Sequence, residues 1–143
     1  MRCPACADEE MLVLEFERVE IDYCGECGGV WLDAGELELI GRRAGAVGQR
    51  LTEALSARDV QRPAQGQRRC PVCGKRLGEV RTGGDPSITV DRCGRADGLW
   101  FDRGELSAVV RQAGGDRDNL LARFFEKLDD RRADAPQASA RED

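Results

Sequence analysis

Apolar and polar side chains alternate strictly over Val19–Tyr23, where Val19, Ile21 and Tyr23 are interleaved with Glu20 and Asp22. A period of two predicts a strand with one buried and one wet face. Residues 11–16 form another β-rich run just before it, so the two together predict a hairpin. The pair recurs at residues 77–81 and 87–92, joined by the turn-rich segment 82–86. Helical spacing takes over elsewhere. Leu37 and Ile40, and later Leu106, Val109 and Val110, predict a short helix after each hairpin, while Val47, Leu51 and Leu55 predict another between the two sets. From Asp116 onward, Leu120, Leu121, Phe124, Phe125 and Leu128 fall in one stripe about 140° wide, the mark of an amphipathic helix.

The elements come in two sets because the chain is a duplication. Residues 24–37, CGECGGVWLDAGEL, align without gaps on residues 93–106, CGRADGLWFDRGEL. Each copy opens on Cys-Pro-x-Cys, at Cys3 and Cys6 and again at Cys70 and Cys73. The first cysteines are 67 residues apart and Trp31 and Trp100 are 69 apart, so the second copy carries two extra residues that the 82–86 turn can absorb. Glu36 follows Asp33, and Glu105 follows Asp102, at the spacing of a capping box, which reads as a helix start rather than a catalytic carboxylate pair. The tryptophans are expected in the core, covering the cysteines.

Each copy spans only about 40 residues, too few to hold a fold by apolar burial alone. Aromatic residues make up 5% of the 143 and charged residues 34%, so cysteine must supply what burial cannot. Seven cysteines cannot all pair in intrachain disulfides, and no segment is apolar enough to target or span a membrane. A reducing cytoplasm is therefore expected, where thiolates serve as metal ligands. Histidine is absent, which restricts any metal site to cysteine, carboxylate and water.

Cys3, Cys6, Cys24 and Cys27 have the spacing that lets a hairpin bring four thiolates into a tetrahedron around zinc; iron would use the same ligands. In the second copy Cys70, Cys73 and Cys93 remain, but Ala96 stands where Cys27 stood. Three readings of the fourth position are open: the carboxylate of Asp97 one residue later, an emptied site that only packs, or bound water. The last would be needed for metal-assisted hydrolysis, which three thiolates and the lack of a proton-shuttling histidine disfavour. No enzyme is expected.

Both copies resemble the bacterial transcription factor IIB-type zinc-finger domain, a short zinc ribbon. The first matches the pattern at Cys3, Cys6, Cys24, Cys27, Gly28, Gly29, Trp31, Asp33, Gly35, Glu36 and Leu37. The second matches at Cys70, Cys73, Cys93, Gly98, Trp100, Asp102, Gly104, Glu105 and Leu106, and departs at Ala96 and Asp97. The resemblance implies zinc binding, and implies transcription by the domain's name alone. The expected fold is a small metal-stabilised α+β protein, two tandem zinc ribbons with a C-terminal amphipathic helix. Residues 1–44 are the first ribbon with its helix, 45–69 an arginine-rich and partly helical linker, and 70–113 the variant second ribbon. Residues 114–132 are the amphipathic helix and 133–143 a disordered tail.

The net charge of −5 is unevenly spread and shapes the choice of partner. Residues 1–40 hold 11 acidic and 2 basic side chains, whereas 41–69 hold seven arginines against Glu53 and Asp59. The first ribbon would repel a phosphate backbone. The apolar stripe of the C-terminal helix is expected to pack on the ribbons or on a second copy of the chain, or else to dock in a partner's groove. The leading expectation for function is a zinc-stabilised adaptor that binds another protein, or a second copy of itself, through that stripe. Nucleic-acid binding through the linker arginines is the alternative, and a redox or metal-handling role for the incomplete second site comes after it. Acidic residues flanking the last helix argue against a membrane surface.

Overall fold

The computed structural model of the chain describes residues 1–55, 62–63, 68–82, 86–116 and 118–134. The tip of the 82–86 turn, the middle of the linker and the tail beyond residue 134 lie outside them.

The two predicted hairpins form, as β1 (Leu12–Phe16) with β2 (Val19–Tyr23) and, in the second copy, β5 (Gly78–Arg81) with β6 (Thr89–Arg92). Val19, Ile21 and Tyr23 are buried while Glu20 is exposed, as the period-two pattern requires. Each repeat also holds a third strand that its sequence pattern does not announce, β3 (Val30–Asp33) and β7 (Gly98–Phe101). Val-Trp-Leu and Leu-Trp-Phe are continuous apolar runs because both faces of these strands are covered, so no alternation is left to read.

These third strands join the repeats. β3 pairs antiparallel with β7, with Trp31 opposite Trp100 and Leu32 opposite Leu99. Among the described residues a single seven-stranded sheet results, in the order β1-β2-β3-β7-β6-β5-β4, with the two-residue β4 (Arg62–Pro63) at its far edge. Because Trp31 and Trp100 are equivalent positions of the repeat, the seam has an approximate two-fold axis between them.

One face of the sheet carries the helices: α1 (Ala34–Arg43), α2 (Gly45–Ala54), α3 (Glu105–Gln112) and α4 (Leu120–Asp134). Val30, Leu32, Leu99 and Phe101 meet Ile40, Val47, Leu51, Val109, Val110, Leu121 and Phe125 in one apolar core. The linker helix predicted on Val47, Leu51 and Leu55 forms as α2, which buries Val47 and Leu51 in this core, and Leu55 follows them. Of the alternatives for the C-terminal stripe, packing on the ribbons of its own chain is the one observed: Leu121, Phe125 and Leu128 are buried, and Phe124 packs tilted against Phe16 at 5.2 Å, which leaves little of the stripe for a partner. The helix begins at Leu120, after Asn119 accepts the Ala122 N–H at 3.0 Å, and runs to Asp134 rather than stopping at 132.

Candidate metal centres

The opposite face of the sheet carries the cysteines. Cys3, Cys24, Cys70, Cys93, Met11, Leu77 and the two tryptophans form a second apolar cluster that spans both repeats. Trp31 and Trp100 are fully buried in it, so they cover the cysteines and at the same time bind ribbon to ribbon.

In the first repeat the thiols of Cys3, Cys6, Cys24 and Cys27 all lie within 4.8 Å of one another. Cys3 Sγ is 3.7 Å from Cys27 Sγ, and Cys24 Sγ is 3.9 Å from Cys6 Sγ. A tetrahedron with zinc–sulfur bonds of about 2.3 Å has edges of about 3.8 Å, so the four sulfurs are placed for one zinc ion. Tight backbone turns set them there. Ala7 N–H bonds to Cys3 O at 2.8 Å and Gly28 N–H to Cys24 O at 2.8 Å, with Ala7 and Gly28 in the left-handed region at φ 67° and 79°. Without a cation the thiols cannot all ionise. Burial and the neighbouring thiols of Cys27 and Cys24 push the Cys6 thiol up, while hydrogen bonds from Cys27 and Cys3 pull Cys24 down. Zinc binding therefore displaces protons and is favoured by rising pH.

In the second repeat Asp97 is brought to Cys70, Cys73 and Cys93, all four within 4.8 Å. Its Oδ2 lies 3.4 Å from Cys93 Sγ and 3.7 Å from Cys70 Sγ, and Cys73 Sγ is 3.6 Å from Cys93 Sγ. The sulfur–oxygen edge of a mixed tetrahedron is about 3.6 Å, so of the three readings of the fourth position the carboxylate fits.

The chain matches the family model described as transcription factor zinc-finger, the TFIIB-type zinc ribbon, twice, over residues 2–43 and 69–112. The chain belongs to this family. Both matched stretches contain a complete ligand set, and the family's zinc ribbons are the two halves of the sheet. No curated protein and no solved structure matches the chain.

The capping signature works differently in the two family copies. In the first, Asp33 and Glu36 close a capping box at the start of α1, with the Asp33 N–H donating to Glu36 Oε1 at 3.0 Å. In the second, Glu105 likewise accepts the Asp102 N–H at 2.9 Å, but α3 is preceded by Gly104 in the left-handed region and the Asp102 carboxylate is turned elsewhere. Both aspartates accept their own repeat's indole N–H, at 2.7 Å from Trp31 and 3.1 Å from Trp100. Asp102 also accepts Arg68, whose Nη1 lies 2.8 Å from both Asp91 and Asp102.

Sequence analysis counted Arg68 only as one of the seven linker arginines, and aligning the repeats reveals its place. Met11 N–H bonds to Met1 O just as Leu77 N–H bonds to Arg68 O, so Met1 is the first copy's counterpart of Arg68. The first copy thus has Asp22, Asp33 and Glu36 within 4.8 Å of one another with no guanidinium bridging them, and the positive charge that acts on Asp22 is the α-amino group of Met1. Burial first, and then the Asp33 charge, raises the Asp22 pKa.

Five of the seven linker arginines, Arg68 among them, make contacts within the chain. Arg42 pairs with Glu38, Arg43 donates to Glu17 O, Arg50 to Ala113 O and Arg69 to Gly74 O. The side chains of Arg58 and Arg62 lie outside the described residues.

Proposed function

We propose that this zinc-ribbon protein is a non-enzymatic binding module for another protein, and that it engages an extended, basic segment of that partner along the free edge of its first ribbon. The observation that carries the reading is β1. Among the described residues it ends the sheet, and it exposes Leu12 and Val13, at 54% and 60%, on a strand edge that folded proteins normally blunt. Strand addition to such an edge uses main-chain hydrogen bonds for affinity and alternate side chains for specificity. The acidic excess of residues 1–40 supplies the complementary charge for lysine or arginine in the added strand.

The carboxyl groups most shifted toward neutrality, Glu36 and Glu105, are both hydrogen-bonded to helix starts, which supports a structural role for them over acid–base work. Four-ligand zinc sites leave no open position for a substrate. No described helix is long and apolar enough to cross a membrane, and seven free thiols are in keeping with a reducing compartment.

The test is to crosslink and identify partners of the full chain, then to measure one purified partner against the wild type and the Leu12→Lys, Val13→Lys double variant. Binding should fall at least tenfold in the variant with its melting temperature unchanged, and should weaken with salt. Undiminished binding would move the interface off β1. Salt-sensitive binding to random-sequence DNA in place of any protein would favour the nucleic-acid alternative.

A further inference from the structure

Three features set the second zinc site apart from the first. The first feature is its donor set. Asp97 offers a hard carboxylate where Cys27 offers a soft thiolate, and zinc held with three sulfurs gains less from the softer match. Asp97 is half-buried beside the exposed Gly94, Arg95 and Ala96, much as Cys27 is beside Gly25 and Glu26, so an incoming ligand can reach this corner of either tetrahedron and the donor type is what differs.

The second feature is the backbone that presents Asp97. Three of the four knuckles close with a hydrogen bond from the fourth residue after the first cysteine: Ala7 to Cys3, Gly28 to Cys24 and Gly74 to Cys70. The fourth closes one residue early, from Ala96 N–H to Cys93 O at 2.9 Å. Ala96 adopts φ 64° in this turn, as Ala7 adopts φ 67° in the first site, so the early closure and not the left-handed residue is what distinguishes this knuckle.

The third feature is that the surrounding fold does not depend on that metal alone. Arg68 ties β6 to the start of α3 through Asp91 and Asp102, and the Asp97 carbonyl accepts the Ala34 N–H of the first repeat at 3.0 Å. β7 lies at the centre of the sheet with Leu99 and Phe101 in the helix-side core.

We propose that the second site is a metal-exchange site: it gives up its zinc to a chelating ligand and takes it back, while the first zinc stays and the fold persists. In the exchange, an entering donor atom of the chelator forms its bond to zinc as the bond to the Asp97 carboxylate breaks, and the bonds to the Cys70, Cys73 and Cys93 thiolates then break in turn as further chelator donors replace them. The carboxylate departs as a solvated anion and the thiolates take up protons from water, with no change of oxidation state. The inference extends the protein from a binding module to one whose second ribbon reports or supplies available zinc.

The experiment is chelator challenge of the zinc-loaded full chain with excess 4-(2-pyridylazo)resorcinol, following release by absorbance and the fold by tryptophan fluorescence and circular dichroism. Even a change outside the ligand shell typically costs 10–100-fold in affinity, so a substituted ligand should separate the two phases by at least about tenfold. One equivalent is expected fast with the fold intact, and one slow with unfolding. Asp97→Cys should slow the fast phase, and Cys27→Asp should create a second fast phase. A single phase accompanied by unfolding would overturn the proposal, as would a fast phase indifferent to Asp97→Cys. Should the variants fail to fold, cobalt added to the wild type after the fast phase decides. A thiolate-to-cobalt band of three-sulfur intensity assigns the fast zinc to the second site, and four-sulfur intensity refutes it.

Discussion

Trp31 of the first ribbon and Gly98 of the second are in contact across the seam: a Cβ added to Gly98 would stand 2.7 Å from the Trp31 ring. The mirror contact is closer still, with Gly29 beneath the ring of Trp100. Gly29 and Gly98 are equivalent positions, so each repeat keeps one glycine bare to receive the other's indole. Gly98→Ala has to push Trp31 or the backbone of Leu32 aside, and overpacking of this kind costs about 1–3 kcal/mol. A urea titration of the zinc-loaded protein should show that loss, with a changed near-ultraviolet circular dichroism from the tryptophans. A loss below about 0.5 kcal/mol would mean that the seam yields easily.

Arg68→Met would give the second ribbon the side chain that the first already has at Met1. In the first ribbon Asp22 is half-buried and the Met1 α-amino charge acts on it, whereas Asp91 is 7% exposed at its side chain and depends on the guanidinium. Burial raises the Asp91 pKa, and the Arg68 hydrogen bond and charge hold it down. Removing one member of a buried ion pair costs about 3–5 kcal/mol, and the partial exposure of Asp102 and Arg68 brings the expected loss to about 2 kcal/mol. Thermal unfolding should report it, and Asp91→Asn in the same chain should recover much of it. If Arg68→Met is as stable as the wild type, the bridge adds nothing.

The hairpins, the helix starts and the first ligand set were legible in the sequence because each is written in local spacing. Val19, Ile21 and Tyr23 alternate, Asp33 and Glu36 sit three apart, and the cysteines come in pairs. Asp97 was legible as a candidate because the gapless repeat leaves it beside the missing cysteine. The seam was not legible, because a strand buried on both faces, such as Val30–Asp33, shows no period to distinguish it from any apolar run. The fate of the C-terminal stripe was equally hidden. Periodicity shows that Leu121 and Phe125 need an apolar neighbour and is silent on whether that neighbour is the chain itself. Arg68 was obscured for a related reason: its charge is local, but its partners Asp91 and Asp102 lie on other elements.

Glu36 and Glu105 give stability a pH dependence of predictable sign. Burial chiefly, together with the charges of Asp33 and Asp22, pushes Glu36 up to about 7 from 4.5, and burial with Asp102 and Asp91 does the same for Glu105. A carboxyl whose folded pKa is raised binds more protons in the folded state between about 4.5 and 7, so its contribution is fully present below that window. Stability is lost as pH rises to about 7 and is level above it. Glu36→Gln with Glu105→Gln keeps an oxygen for each helix start and removes the charge. At pH 8 the double variant should be more stable by about 1 kcal/mol, a figure reduced for the solvent that screens half-exposed carboxylates. Denaturant titrations from pH 6 to 8 with zinc in slight excess test it, because acid also competes for the thiolates. A wild-type slope that survives the double substitution would assign the pH dependence to other groups.

The C-terminal helix tests whether the two ribbons share one core. Phe125 is 2% exposed among residues drawn from both repeats and from α2, and Tyr23 of the first ribbon donates its hydroxyl to Leu128 O at 3.4 Å. Ser107 of the second ribbon's helix donates to Asp129 at 2.7 Å, so α4 is tied to both halves. Phe125→Ala leaves a cavity where these elements meet and should cost about 3–5 kcal/mol. Because the seam and the core are continuous, the loss should lower the unfolding midpoint of both ribbons together, read as coincident shifts in hydrogen exchange of β2 and β6. Zinc content should stay at two equivalents, since the metal clusters lie on the opposite face of the sheet. A shift confined to the second ribbon would make α4 its private support, and the sheet would then be held across the repeats by β3, β7 and the two tryptophans alone.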